Sequence, residues 1–445
     1  MALDCVIKGA QVVLASGVEP LCIGIEGDRI AAVAPEIAEQ ARETIDAPGL
    51  HIFPGVLDAH VHFNDPGRDS WEGVPTGSAA LAAGGGTLFI DMPLNSSPPT
   101  LDAASFDRKL AACTGRARCD FALWGGLTPD NLGQLEALAK RGVVGFKAFM
   151  SSSGIDDFRA CDDESLYRGM RIAAGLGLPV AVHAENNGMT AALSALARGA
   201  GRTTVLDYLD SRPIAAEAEA ISRALAFAED TGCALHVVHT SSARGVGLVR
   251  QAVAAGRCDA SCETCPHYLL LSSDDVRRMG AQAKCAPPLR SPAERELLVR
   301  EVAAGRVDTI GSDHSPSPPD MKRGTDFFSI WGGISGAQST LRALLTLDLP
   351  LSLAAALVSD NVARRFRLPG KGGIRVGADA DLAFVDLSVT KPLEAGELLD
   401  RHRLSPYVGR DLRGSVRRTM VRGKTVFKDG ELIGKPEGRF LRPPR

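Results

Sequence analysis

The chain has 445 residues, 45% of them hydrophobic and 23% charged, with a net charge of −3. That length supplies ample core for one large domain or two to three smaller ones, and the near-neutral balance excludes a nucleic acid or an acidic membrane as the main partner. No apolar run approaches the about 18 residues of a membrane span, and residues 1–10 (MALDCVIKGA) lack a basic stretch followed by an apolar one, so a cytoplasmic protein is expected.

In chain order, residues 3–45 read as short, turn-rich strands (CVIKGAQVV, PLCIGIEGDRIAAV). Short apolar runs then recur, most followed by a loop and a helical stretch. They are 55–62 (GVLDAHVH), 87–93 (TLFIDMP), 120–126 (DFALWGG), 143–150 (VVGFKAFM), 178–185 (LPVAVHAE), 233–241 (CALHVVHTS), 259–266 (DASCETCP) and 307–314 (VDTIGSDH). Residues 216–230 and 243–255 are helical between them. Strands alternating with helices imply an α/β fold with a parallel sheet. Eight such units predict a closed (β/α)8 TIM-like barrel. A doubly wound sheet would want a glycine-rich fingerprint after its first strand, and there is none. Residues 373–426 return to strands (DADLAFVDL, VRRTMVRGKTVF). Both chain ends are expected to pair as a small β-sandwich domain, 1–53 with 371–445, around a barrel of 54–370.

Polar residues gather at the ends of the apolar runs. His60 and His62 in VLDAHVHF are two apart, and on a strand such residues share a face. A lone HxH leaves packing and metal binding equally open. Lys147 stands between two phenylalanines in GFKAF, where a free ammonium is costly. His183 ends the fifth run and His239 the sixth. His236, three residues earlier, must face the other way and is read as packing. Asp313 ends the eighth run. Each alone reads as structural, but in a barrel these ends share the face that carries chemistry. Four imidazoles and a carboxylate suit borderline divalent ions, zinc foremost. Six groups are too many for one tetrahedral site that also holds water, and suit two ions.

VLDAHVHF, GFKAFM, VAVHAEN, VVHTSS, CETCPHYL and GSDHSP together resemble the cyclic-amidohydrolase group of the amidohydrolase superfamily, which includes dihydroorotases, hydantoinases and allantoinases. The resemblance runs over nearly the whole chain and takes in GGIRVGADADLAFVDL near its end. It implies that His60, His62 and Asp313 bind the more buried ion and that His183 and His239 bind the second. It also implies that Lys147, carboxylated by carbon dioxide to N6-carboxylysine, bridges both ions, and that a hydroxide between them attacks a ring amide. Asp313 then serves as general base and acid. Oligomers, tetramers above all, are common among such proteins.

Dihydroorotases carry an Arg two places after HxH and a His after the proline of DHAPH, and both hold the substrate carboxylate. Asn64 and Ser317 occupy those places here. Leaving a carboxylate unpaired would cost on the order of 2–5 kcal/mol, so a small neutral cyclic amide is expected as the substrate. NDPGRDSWEG, DMPLNSSPPT, KCAPPLR, SDHSPSPPDMK, WGGISGAQ and RHRLSPYVGR are similar to stretches of allantoinases, which implies ring opening of allantoin to allantoate. Broader hydantoinases of the dihydropyrimidinase type and dihydroorotases are the alternatives. A scaffold relative without catalysis would lack the ligand set. Asn64, Asn95, Cys285 and Ser317 are the candidate substrate contacts, His267 and His314 packing or supporting groups, and residues 315–333 a candidate lid. The ten cysteines show no disulfide pattern. Cys262 and Cys265 form a lone CxxC, and Cys262 falls within a strand, so a redox role is not favoured.

Overall fold

The computed structural model describes residues 3–444. Eight parallel strands, one of them broken in two, form the barrel predicted from the sequence. Val56–Val61, Gly86–Asp91 and Asp120–Leu123 are hydrogen-bonded in that order. The third strand breaks at Trp124 and resumes as Gly125–Gly126, which pairs with Phe146–Phe149. Val180–His183, Leu235–Val237, Ala260–Thr264 and Thr309–Ile310 follow in order, all parallel. The ring closes where Val61 bridges His314 and the His62 N–H donates to the His314 carbonyl at 2.8 Å. Beside that seam the Ser312 N–H donates to Asp58 at 3.0 Å.

Side-chain caps start many of the helices between strands. Asp102, Asp162, Asn186, Ser242 and Ser291 each accept a backbone N–H three residues on, which satisfies a donor the helix leaves unpaired. The strands are short and buried on both faces, as a parallel sheet covered by helices must be.

The two chain ends build one nine-stranded sheet. Glu431–Leu432, Lys424–Lys428, Asp411–Val421 and Leu382–Pro392 run into His51–Pro54, then Leu3–Leu14, Gly17–Glu26 and Arg29–Ala34, with Ala41–Asp46 beside Leu3–Leu14. The joint between the ends is Leu382–Pro392 against His51–Pro54, antiparallel. Ile7, Val12, Ile23, Ile52, Leu382 and Phe384 belong to a core that both ends supply.

A buried ion cluster ties this sheet to the barrel. Lys371 Nζ lies 2.7 Å from Asp120, 2.7 Å from Asp381 and 2.9 Å from Asp379. Arg422 also pairs with Asp120, the first residue of the third barrel strand. The three carboxylates could hold a cation, but the Lys371 ammonium already sits among them. Among the described residues no helix is long and apolar enough to cross a membrane. All ten cysteines are free.

Removing Lys371 takes from the buried Asp381 carboxylate its ion-pair partner, which costs about 3–5 kcal/mol. Lys371→Met is therefore expected to lower the denaturation midpoint by that equivalent, read by circular dichroism in urea. An unchanged midpoint would show that the cluster contributes nothing to the joint.

Candidate metal centre

The side chains singled out from the sequence meet at the C-terminal mouth of the barrel. His60 and His62 leave the first strand on one side, with ring centroids 5.5 Å apart. Their Nε2 atoms lie 3.2 and 3.3 Å from Asp313 Oδ1. The ligand atoms of these three residues all fall within 4.8 Å of one another. His183 is the last residue of its strand, and its Nδ1 is 3.0 Å from His239 Nε2. The His239 ring lies 5.4 Å from that of His60, so the two groups of candidate ligands adjoin. Lys147 projects from Phe146–Phe149, fully buried, and its Nζ has no hydrogen-bond partner.

Backbone turns aim two of these groups. His239 and Asp313 lie just past their strands with φ of 39° and 45°, in the left-handed region most residues avoid. Asn64 and Asn95 are left-handed too, at 64° and 68°. Such strain costs on the order of 1–3 kcal/mol per residue and gathers at functional sites.

The donor set fits divalent cations. Burial lowers the pKa of His62, His183 and, furthest, His239, which favours neutral imidazoles with free lone pairs. Burial opposes ionisation of Asp313, but the imidazoles of His60 and His62 outweigh it and hold the carboxyl below the usual range. Burial pushes Lys147 down to about 8. An unpaired buried amine costs about 1–3 kcal/mol.

Two glutamates that sequence reasoning missed stand behind the histidines. His60 Nδ1 is 2.6 Å from Glu263 Oε1, and His183 Nε2 is 2.9 Å from Glu185 Oε2. Burial would raise both carboxyls. For Glu263 the imidazoles of His60 and His236 prevail, and for Glu185 Arg212 and His183 do, so each is held at about 2. The signal for them was a carboxylate inside an apolar run, in SCETC and in VAVHAE. Gly311 makes room for one: a Cβ there would lie 2.6 Å from Glu263 Oε2 and 2.8 Å from the His60 Cβ. His236 faces Ser261 Oγ at 2.8 Å and Glu263 at 3.7 Å.

A cleft of about 330 Å³ opens over the histidines. Asn95 and Cys285 line it, as do Phe149, Tyr208, Arg212 and Lys284. Asn64 and Ser317, expected as substrate contacts, are buried and do not line it. The left-handed turn at Asn64 directs its amide towards the Pro316 carbonyl, 3.5 Å away. Burial pushes His267 down to about 4, and its ring packs on Tyr268. His314 lies at the barrel seam beside Glu72. Burial raises the Cys262 thiol to about 12 and the Cys265 thiol well above its ordinary value, so neither is a thiolate near neutral pH.

The candidate lid supplies one wall, through residues 328–333. Two lysines, Lys284 buried and Lys322 half-buried, hold it by its backbone. Lys284 Nζ donates to the Phe327 carbonyl at 2.6 Å, to that of Phe328 at 3.3 Å and to that of Ile330. Lys322 Nζ donates to the Trp331 and Gly333 carbonyls at 3.2 and 2.6 Å.

Comparison with known proteins places this geometry among relatives. Residues 51–426 match the family model described as the amidohydrolase family. The chain is 55% identical to the allantoinase of Rubrobacter xylanophilus, covering 100% of this chain and 98% of that one. It is 53% identical to the allantoinase of Deinococcus radiodurans, covering 100% and 99%. Among solved structures, the L-hydantoinase (dihydropyrimidinase) of Arthrobacter aurescens superposes with a TM-score of 0.96 at 34% identity, over 99% of this chain and 100% of that one.

Hydrogen bonds from an ammonium contribute about 1.5–3 kcal/mol, so Lys284→Met should loosen the wall it holds. Amide exchange across 326–333 is expected to quicken by roughly tenfold or more, read by deuterium uptake in mass spectrometry. Unaltered protection would mean that the segment is held by other contacts.

Proposed function

The chain belongs to the amidohydrolase family, and from that footing we propose that it is an allantoinase, adding water across a ring amide of allantoin to give allantoate. The observation that carries this reading is full-length likeness to allantoinases, in a chain where His60, His62, His183, His239 and Asp313, five of the six expected ligands, line one cleft. His60, His62 and Asp313 would hold one divalent cation and His183 and His239 a second, with zinc favoured by four imidazoles. Lys147, carboxylated on Nζ by carbon dioxide, would reach both. When bound, the two cations supply Lewis-acid polarisation of the ring carbonyl and water that ionises near neutrality.

The protein's own groups then manage position and protons. Asp313, whose carboxyl is held below the usual range, accepts a proton from the water as its oxygen bonds to the ring carbonyl carbon. The same carboxyl returns that proton to the ring nitrogen as the C–N bond breaks. One O–H bond and one C–N bond are lost, and one C–O and one N–H bond are gained. Asn95 offers an amide to the ring or its ureido arm from the cleft wall, and Cys285 the backbone of a loop.

The cleft wall supports a neutral substrate more directly than Asn64 and Ser317 do. Its two cationic side chains are engaged elsewhere: Arg212 is paired with Glu185, and Lys284 donates to the lid carbonyls. A substrate carboxylate would find no uncommitted cation in either. The backbone likeness to hydantoinases favours activity on plain hydantoins as a second reading, since allantoin is itself a hydantoin bearing a ureido group. A homo-oligomer, with a tetramer favoured, and a cytoplasmic location complete the proposal. Ten unpaired thiols suit a reducing compartment.

Purified protein is expected to hydrolyse allantoin faster than hydantoin or a 5-substituted hydantoin, and to refuse dihydroorotate, in a coupled carboxylate-release assay. Preference for a 5-substituted hydantoin would move the assignment to the second reading. Metal analysis should return about two divalent ions per chain. Lys147→Ala is expected to lower that count and to reduce turnover by at least about a thousandfold, the scale of losing a metal's charge stabilisation of several kcal/mol. Retained turnover in the variant would rule out the bridge.

A further inference from the structure

His183 has two ring nitrogens and, when neutral, one proton to share between them. Its Nε2 lies 2.9 Å from Glu185 Oε2, and its Nδ1 lies 3.0 Å from His239 Nε2. A carboxylate can only accept, so the proton belongs on Nε2 and the lone pair on Nδ1. Glu185 is fully buried, and Arg212 pairs with the same oxygen. His239 has no such anchor, because its Nδ1 is buried without a partner. The first group of ligands repeats the pattern. His60 Nδ1 is fixed by Glu263 at 2.6 Å, while His62 Nδ1 has no partner. Each pair of histidines therefore contains one imidazole held by a buried glutamate and one whose Nδ1 has no partner.

We infer that Glu185 is a positioning residue that fixes the tautomer and ring angle of His183, so that affinity for the second cation depends on it. The inference rests on the two-cation reading above. An anchored imidazole presents its lone pair without first losing rotational freedom or shifting a proton, and supporting contacts of this kind typically set metal affinity by about 10–100-fold.

The test uses the full-length protein, stripped with a chelator and titrated with cobalt(II), whose visible absorption reports each ion as it binds. Native protein should take two ions. Glu185→Ala should bind the first as tightly as native and the second about 10–100-fold more weakly. Glu185→Gln keeps an oxygen that accepts the Nε2–H, so it should recover most of that loss. Glu185→Ala leaves Arg212 buried without a partner. The double variant Glu185→Leu with Arg212→Met removes both charges together and should show the same loss at the second ion. Second-ion affinity equal to native in Glu185→Ala or in the double variant overturns the inference, and so does a loss in Glu185→Gln as large as in Glu185→Ala. Native protein that takes fewer than two ions overturns the two-cation reading itself.

Discussion

The site depends on the seam that joins the first barrel strand to the last. His62 donates its backbone N–H to His314 and Ser312 donates to Asp58, and these bonds bring segments some 250 residues apart into register. Only with that seam closed do the His60 and His62 imidazoles converge on Asp313. The register also decides charge. A slip of one residue would turn each inward side chain outward, placing Asp313 away from the imidazoles that keep it ionised.

Around the seam, backbone strain and electrostatic cost are spent together. His239 and Asp313 occupy a region of φ that their residue types adopt rarely, because a strand running on in regular geometry would carry both side chains past the cleft. The interior then holds four imidazoles, a carboxylate and an amine, all largely buried. Neutral imidazoles, an ionised aspartate and an amine depressed towards neutrality are what such burial produces. Divalent cations suit that balance, since they replace the solvent the side chains have lost.

The barrel was legible in the sequence because its signals are local. Each strand is a short apolar run with a polar residue in it or just past it, so the candidates His60, His62, Lys147, His183, His239 and Asp313 could be read one run at a time. Pairing of the two chain ends was also expected, although a composition of short strands does not say which strand meets which. Leu382–Pro392 meets His51–Pro54 across more than three hundred residues, and nothing local fixes that choice. Glu263 and Glu185 escaped for a related reason. A buried carboxylate in an apolar run looks the same whether it serves an ion pair, a seam or a histidine, and its partner lies elsewhere in the chain. Asn64 and Ser317 were placed in the cleft from their positions relative to the ligands, but a left-handed turn directs the Asn64 side chain elsewhere, a detail set by φ rather than by spacing.

The shared sheet has a bearing on how the chain is made. As it leaves the ribosome, His51–Pro54 presents an unpaired edge until Leu382–Pro392 has emerged. At about 5–20 residues per second that interval is on the order of tens of seconds. The whole barrel is translated within it. The N-terminal strands can pair among themselves, Leu3–Leu14 with Gly17–Glu26 and Ala41–Asp46, but their open side remains a template for any passing strand. The nascent protein is thus most vulnerable to misassociation along His51–Pro54, and the arrival of Leu382–Pro392 is what ends that exposure.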